Sequence, residues 1–267
     1  GDVYKRQLYL CSLAARGLKV KLVYTEHSTS NNRRGKWFIR PIEKIIYARY
    51  TKLVGISQQT QDALQEWLQS KDERFVVINN GVDTKHFVAI KRPVIPKSLI
   101  MVSRFASSKD QETVIRAMET IDKDVILRFV GDGENLEHCK QVANDCSVAD
   151  RVQFLGSRSD VAELIAESYI GIQSSNWEGF GLTAVELMAC GKPVIATNVE
   201  GLKQVVEGAG KVFSKGNANE LAEKVNLLLA DVNLYCDISR KCISRAAQYD
   251  IHLMADSYKK LYIHLIN

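Results

Sequence analysis

Short apolar runs alternate along the chain with amphipathic segments of helical periodicity, and this alternation predicts parallel sheets with crossover helices. The first third is predicted to contain three strands, at 18–24, 53–57 and 75–79, with helices at 7–16, from Pro41 onward and at 60–69. Further strands are predicted at 99–103, 125–130, 152–155, 169–173 and 193–196, with helices at 110–121, 137–144, 160–167, 218–230 and 251–266. We therefore expect an α/β protein.

A break in the alternation suggests where two domains meet. Residues 88–98 contain Pro93 and Pro96 and little periodicity, which is typical of a linker. A chain of 267 residues is long enough for two modest domains or one large one. The predicted division is a partial first domain at 1–92, a second domain at 93–248, and a C-terminal helix at 249–267.

The stretch from Ser174 to Val194 carries the densest chemistry. Glu178 is followed by Gly179-Phe180-Gly181 and then by a helical run that contains Glu186. A glycine-rich turn between a strand and a helix presents unpaired backbone N–H groups at the positive helix end, which is a site for phosphate. Ionised carboxylates accept hydrogen bonds strongly from sugar hydroxyls. The stretch therefore predicts a ligand that contains both phosphate and sugar.

Two cations follow an earlier predicted strand. Arg104 stands at the end of the strand at 99–103, and Lys109 precedes the next helix. A guanidinium offers a bidentate fork to phosphate, and an ammonium offers a point charge. The alternative is that both are solvated loop cations. The later turn Gly131-Asp132-Gly133-Glu134 has only part of a dinucleotide fingerprint, because Leu136 replaces its third glycine, so we expect a simple tight turn.

His27 lies in a polar loop directly after the first predicted strand. Ligands bind at the carboxyl ends of strands in open parallel sheets, so this position suits a functional histidine. The alternative is a loop histidine that caps the local backbone.

Charge is divided unevenly, which singles out the front of the chain. Residues 1–92 hold 17 basic and 8 acidic side chains, whereas the rest hold 19 and 23. The segment 33–52 interleaves basic residues with Trp37, Phe38 and isoleucines, and Ile42, Ile45, Ile46 and Arg49 have helical spacing. Such a helix can contact an anionic membrane surface. The alternative is a helix packed on the core with a solvated basic face.

Composition excludes several other classes. The six cysteines form no Cys-x-x-Cys pair and have no histidine at zinc-ligand spacing, and no apolar run is long enough to span a bilayer. We expect reduced thiols, no metal and no cofactor, no nucleic-acid partner, and a cytoplasmic location, with the inner face of the membrane as a further hypothesis. The chain starts without Met inside an apparent fold, which suggests a missing N-terminus.

Eight short blocks, in order, resemble the retaining glycosyltransferases of family 4, from about Lys21 to the C-terminus. The blocks are TEHS at 25–28, VGIS at 54–57, NNGVD at 79–83, SRFASSK at 103–109, FVGDGE at 129–134, FLGSRSDV at 154–161, EGFGLTAVE at 178–186 and GKPVIATNVEG at 191–201. The resemblance implies a GT-B fold, in which two Rossmann-like parallel-sheet domains face a cleft, with the first, acceptor-side domain incomplete here. The second would bind the donor, and the C-terminal helix would cross back to the first.

The resemblance also implies roles for individual residues. Arg104 and Lys109 would bind the diphosphate of a nucleotide-sugar donor and stabilise its charge during the reaction. Glu178 would contact the donor sugar, Glu186 the ribose, and His27 the reacting sugar. Further donor contacts would come from the backbone of Phe180, Gly181, Leu182 and Thr183 and from the nucleobase loop that includes Gly156 and Arg158.

The function implied is transfer of a sugar from a nucleoside-diphosphate donor to a polysaccharide or lipid-linked acceptor, with retention of the anomeric configuration. Two departures stand out: N-terminal strand–helix units of the family are absent, and Gln204 stands where an acid is common. The alternatives are a non-catalytic nucleotide-binding fragment and a GT-B epimerase of nucleotide sugars.

Overall fold

The computed structural model describes residues 3–29, 36–89 and 97–267. The chain divides into two compact units: unit 1 is Gly1–Asn80 with Met254–Asn267, and unit 2 is Gly81–Leu253. Most of the predicted linker, residues 90–96, lies outside the described residues, as do residues 33–35 of the basic segment. The predicted domain boundaries near 92 and 248 stay predictions.

Unit 1 contains a parallel sheet with the strand order β1-β2-β3. Its strands are β1 (Val23–Glu26), β2 (Lys52–Gly55) and β3 (Phe75–Val77), and its helices are α1 (Val3–Ala14), α2 (Arg40–Tyr47) and α3 (Gln58–Leu68). The start of α3 is capped by Ser57, whose hydroxyl accepts a hydrogen bond from the backbone N–H of Thr60 at 3.1 Å. Strands and crossover helices therefore alternate as predicted.

The first strand is shorter than its apolar pattern suggested, so the predicted bounds of 18–24 are wrong. Pairing with β2 begins at Val23 opposite Lys52, and residues 18–22 form no strand. Leu18 and Val20 are exposed instead, at 63% and 52%. A strand exists only where its backbone has a partner, and alternating side chains alone do not provide one.

A buried carboxylate organises the core of unit 1. Glu43 on α2 is 3% exposed and accepts hydrogen bonds from the Tyr9 hydroxyl at 2.6 Å and from the Trp67 indole N–H at 2.5 Å. The core-facing side of α2 consists of Glu43, Ile46 and Tyr47. The expected apolar face was therefore partly wrong, because Ile42 and Ile45 are 58% and 64% exposed.

Unit 2 is built on a six-stranded parallel sheet with the order β6-β5-β4-β7-β8-β9. The strands are β4 (Ser98–Val102), β5 (Ile126–Val130), β6 (Val152–Phe154), β7 (Ile170–Gln173), β8 (Val194–Thr197) and β9 (Lys211–Phe213). The helices are α4 (Gln111–Ala117), α5 (Leu136–Asp145), α6 (Val161–Glu167), α7 (Leu182–Ala189), α8 (Glu200–Val206), α9 (Ala218–Ala230), α10 (Val232–Ala247) and α11 (Ile251–Ile266), the last continuing into unit 1. Because β4 and β7 are neighbours, the loops that follow them meet at one edge of the sheet.

The hydrogen bonds of Glu43 give a test of the core of unit 1. We expect Glu43→Ala to lower the free energy of unfolding by about 2–4 kcal/mol, because the buried Trp67 indole and the partly buried Tyr9 hydroxyl both lose their hydrogen bond to this carboxylate. Chemical denaturation measures the change. The control is Glu66→Ala on the exposed side of α3, with an expected loss below about 0.5 kcal/mol. Equal losses in both variants would contradict this account of the core.

Candidate functional site

An ion pair joins the loop after β4, which carries Lys109, to the loop after β7, which carries Glu178. The Lys109 ammonium donates a short hydrogen bond to the Glu178 carboxylate and another, of 3.3 Å, to the Ser175 hydroxyl. Both side chains are largely buried, at 17% and 21% exposure. The pair fixes a cation and a carboxylate side by side at the carboxyl edge of the sheet, and a charge-assisted bond of this kind restricts both side chains.

Backbone contacts between the same loops hold this pair in register. Lys109 and Ser175 form an isolated antiparallel bridge, and the backbone N–H of Asn176 donates to the Ser108 carbonyl at 2.9 Å. The Asn176 side-chain amide donates to the Ser107 carbonyl at 3.0 Å. The loop after β4 is thus attached to the loop after β7, so Lys109 cannot shift without moving the segment that carries Glu178.

In the first turn of α7, the backbone N–H groups of Leu182 and Thr183 donate to no backbone acceptor among the residues that the structure describes. Its N-cap is Gly181, which has a left-handed backbone with φ of +89° and provides no side-chain cap. The first N–H groups of a helix have no partner within it, so those of Leu182 and Thr183 face away from the helix body. These donors and the positive helix end can bind a phosphate oxygen.

Two glycines let α8 approach this loop closely. A Cβ on Gly201 would lie 2.3 Å from the Glu178 carbonyl oxygen, and one on Gly181 would lie 2.5 Å from a methyl carbon of Leu202. No side chain fits at either position without displacing its neighbour. The start of α8 therefore supports the turn from Glu178 to Gly181 from one side.

Glu186 lies on α7, one turn into the helix. Burial raises the pKa of its carboxyl group, and nearby His86 partly offsets that rise. The cost of burying a charge makes a partner that donates hydrogen bonds favourable here. A pair of sugar hydroxyls could supply such donors.

Arg104 differs from Lys109 in having an exposed side chain. Its carbonyl oxygen accepts a 2.9 Å hydrogen bond from the buried Gln111 amide, which fixes its backbone. Within the part of the chain that the structure describes, no acidic side chain pairs with its guanidinium. The structure thus provides one paired and one unpaired cation after β4.

The glycine-rich turn after β5 lies directly against the loop after β4. A Cβ on Gly131 would lie 2.1 Å from the Ser103 carbonyl oxygen, and one on Gly133 would lie 2.3 Å from that of Phe105. The backbone N–H of Phe105 in turn donates to the Asp132 carbonyl at 2.9 Å. These glycines let two loops touch through their backbones.

The proposed nucleobase loop follows β6. Gly156 has φ of +66° and its carbonyl accepts a 2.8 Å hydrogen bond from the N–H of Gly131. Arg158 is exposed and forms a bidentate pair with Asp160 at 2.8 and 2.7 Å, which lowers the pKa of that carboxyl. Arg158 is thus held at the surface by its neighbour.

His27 belongs to unit 1 and follows β1 directly. Its side chain is exposed and borders a cavity of about 280 Å³ that is also lined by Thr25, Tyr24 and Tyr50. The buried Glu26 precedes it and accepts a hydrogen bond from the Tyr47 hydroxyl at 3.4 Å. The predicted role of His27 stays a prediction.

Several residues that support the site had no role assigned to them from the sequence. Ser175 and Asn176 lie in the stretch from Ser174 to Val194, and Gly201 ends the block at 191–201, but neither pattern indicated their contacts; His86 belongs to no motif. Each acts through a neighbour that is distant along the chain, and such contacts follow from the fold.

Within residues 3–29, 36–89 and 97–267, the structure has no group of three or more His, Cys, Asp or Glu side chains able to hold a metal ion. No helix in these ranges is both long and apolar enough to cross a membrane.

Two family models match the chain. The model described as glycosyl transferases group 1 matches residues 82–248, and the one described as glycosyltransferase family 4 matches residues 4–86. Together they span almost the entire chain, and the first alone covers more than half of it.

Curated relatives are similar to most of the chain. An N,N'-diacetylbacillosaminyl-diphospho-undecaprenol alpha-1,3-N-acetylgalactosaminyltransferase of Campylobacter jejuni is 36% identical over 86% of this chain and 65% of its own length. An N-acetyl-alpha-D-glucosaminyl L-malate synthase of Bacillus anthracis is 32% identical over 62% of this chain and 45% of its own length. The chain thus spans about half to two thirds of these relatives.

A solved structure has the same fold. Anabaena Alr3699/HepE, in complex with UDP, superposes with a TM-score of 0.90 at 22% identity, over 97% of this chain and 77% of its own. The predicted GT-B fold, an α/β architecture with Rossmann-like parallel sheets, is confirmed by this likeness and by the two sheets.

The ion pair between Lys109 and Glu178 can be tested by stability. We expect Lys109→Gln to lower the free energy of unfolding by about 1–3 kcal/mol, because the largely buried Glu178 loses its partner. The matched control is Lys140→Gln, which breaks a more exposed pair with Glu137 on α5 and should cost below about 1 kcal/mol.

A double-mutant cycle completes the test. If the pair forms, adding Glu178→Gln to Lys109→Gln costs less than Glu178→Gln costs in the wild-type chain. Additive losses would show that the two side chains do not interact.

Proposed function

Because the chain belongs to the glycosyl transferases group 1 family, we propose that it takes part in the transfer of a sugar from a nucleoside-diphosphate donor to a glycan or lipid-linked acceptor, with retention of the anomeric configuration. The observation that carries the proposal is the junction of Lys109 and Glu178 beside the open first turn of α7. It brings together a cation, a carboxylate and free N–H donors, which match a sugar attached to a diphosphate.

Each part of the donor has a partner of suitable chemistry. Arg104, Lys109 and the N–H groups at the start of α7 bind the diphosphate. Glu178 accepts hydrogen bonds from the donor sugar, and the buried Glu186 accepts them from the ribose. Gly156 and Arg158 lie beside the nucleobase. HepE was solved with UDP and with UDP-glucose, so UDP is the first nucleotide to try.

Catalysis in this proposal is electrostatic. The bond between the anomeric carbon and the diphosphate oxygen breaks, and the acceptor oxygen bonds to that carbon on the same face. The acceptor's proton passes to the departing diphosphate. Arg104, Lys109 and the α7 helix end stabilise the negative charge on this leaving group. His27 contributes a polar group to the reacting sugar. No metal or cofactor is needed, because the cations and the helix end do this work.

An anionic membrane surface is the proposed peripheral partner of segment 33–52. Trp37, Phe38, Ile42 and Ile45 are all more than half exposed, and basic residues such as Lys44 lie among them. Exposed aromatic and aliphatic side chains among cations suit the inner face of a membrane, where a lipid-linked acceptor would be available.

The donor site predicts nucleotide-dependent stabilisation. We expect UDP, or another nucleoside diphosphate from a panel, to raise the melting temperature, since a ligand at 100 times its Kd adds about 2.7 kcal/mol. Arg104→Ala and Glu186→Ala should remove the shift, because each deletes a donor contact. A thermal-shift titration measures it.

The matched control is Arg116→Ala, which deletes an exposed cation of α4 that pairs with Glu112. It should keep the full shift. If no nucleoside diphosphate shifts the wild-type chain, the donor site is not functional as proposed. A nucleotide shift with no sugar transfer would instead support a binding fragment.

The membrane proposal predicts binding to vesicles that contain anionic lipid and not to neutral ones. We expect Ile42→Ser with Ile45→Ser to reduce co-flotation at least fivefold, because two apolar anchors are lost. The control is Ile263→Ser, which removes a half-exposed isoleucine on α11. Equal flotation of the wild-type chain, the double variant and Ile263→Ser would refute a specific role for segment 33–52.

A further inference from the structure

Two short segments of unit 2 pair at the points where the chain passes from one unit to the other. The backbone N–H of Val82 donates to the Tyr249 carbonyl at 2.8 Å, and that of Ile251 donates to the Val82 carbonyl at 2.9 Å. We call 81–84 and 249–252 the paired segments. One unit boundary, after Asn80, lies directly before the first segment, and the other, after Leu253, lies one residue beyond the second.

Side chains reinforce the pairing. Thr84 donates a short hydrogen bond to the Asp250 carboxylate, whose second oxygen accepts from the His252 N–H at 2.8 Å. A Cβ on Gly81 would lie 2.6 Å from the Cα of Ile251, so only glycine allows this approach. The paired segments therefore form a tightly built element.

One aromatic contact connects this element to the candidate site. The ring of Phe180 packs edge-on against that of Tyr249, with 5.2 Å between centroids and an angle of 87°. Phe180 is 2% exposed and lies between Glu178 and the α7 N-cap, Gly181. Tyr249 is thus the point at which the paired segments contact the turn with the free N–H groups.

We infer that Tyr249 is a positioning residue for donor binding: its ring fixes Phe180 and so orients the backbone N–H groups from Phe180 to Thr183. The inference rests on the proposed function, since it assigns those N–H groups to the diphosphate. Its physical basis is preorganisation. The edge-on contact restricts the conformations that the turn can adopt before a ligand binds. Binding then costs less conformational entropy.

The same contact makes the linkage reciprocal. If Tyr249 orders the turn for the nucleotide, a bound nucleotide orders Tyr249 and the paired segments by the same factor. Nucleotide binding at α7 is therefore expected to reduce the mobility of the paired segments.

Calorimetric titration with UDP tests the role of Tyr249. We expect Tyr249→Leu to weaken UDP binding at least threefold, whereas Tyr249→Phe, which keeps the ring, stays within twofold of wild type. The matched control is Tyr235→Leu, which removes another ring pair of unit 2, with Tyr169 at 4.1 Å. Tyr169 directly precedes β7, so it lies at the amino end of this strand, and the candidate site lies at the carboxyl ends of the strands. This variant should therefore lose stability and keep its UDP affinity.

A second variant approaches the contact from its other side. Phe180→Leu keeps every backbone N–H, so it should weaken UDP binding as Tyr249→Leu does, and the double variant should be no weaker than the worse single one. Phe180→Leu alone decides the matter if Tyr249→Leu does not fold. Unchanged UDP affinity in a folded variant of either residue, or an equal loss in Tyr235→Leu, overturns the inference.

Hydrogen exchange without ligand separates this inference from the donor proposal. Amides 179–183 should exchange at least threefold faster in Tyr249→Leu than in wild type, and Tyr235→Leu should leave them unchanged. This result does not require UDP to bind. If wild type binds no UDP but the exchange differs as stated, the ring contact positions the turn and the donor proposal fails; if exchange is unchanged, the positioning role fails.

Discussion

The ion pair between Lys109 and Glu178 is the interaction on which the candidate site depends. It joins the loop after β4 to the loop after β7, and a backbone bridge at Ser175 repeats the connection. Each charge is largely buried, and burying either one without a partner would lower the stability of the fold. The ion pair offsets that cost for both side chains. The pair also leaves both groups at the open edge of the sheet, where a ligand with phosphate and hydroxyl groups can share their hydrogen bonds.

Close backbone approaches form a second layer around this pair. Gly131 and Gly133 let the turn after β5 touch the loop after β4, and Gly201 lets α8 touch the backbone of Glu178. Backbone-to-backbone contacts are stiff because no flexible side chain lies between the two segments. Through Phe180 and Tyr249, the same rigid region extends to the paired segments. The candidate site is therefore held from three directions within one unit, which is the preorganisation that electrostatic catalysis requires.

Much of this could be predicted from the sequence, because apolar runs and glycine-rich turns are local signals. The strands β4 to β8 lie within a residue or two of their predicted bounds, and Glu178, Gly181 and Glu186 fall at one turn and helix as expected. The predicted bounds of the first strand were wrong because its start, at Val23, is set by pairing with β2. The apolar pattern carries no information about that pairing. The exposure of Ile42 and the contact of Tyr249 with Phe180 were not predictable, since both depend on which distant segments pack together.

The central claim is that the diphosphate of a donor binds between Lys109, Arg104 and the first turn of α7. A crystal structure of the chain with bound UDP tests it most directly, since it locates the phosphate groups relative to these atoms. The account predicts phosphate oxygens within hydrogen-bonding distance, about 3 Å, of the Lys109 ammonium and of at least one backbone N–H of the α7 first turn, with the ribose hydroxyls on Glu186. Phosphates bound elsewhere, with the pair of Lys109 and Glu178 untouched, would contradict it.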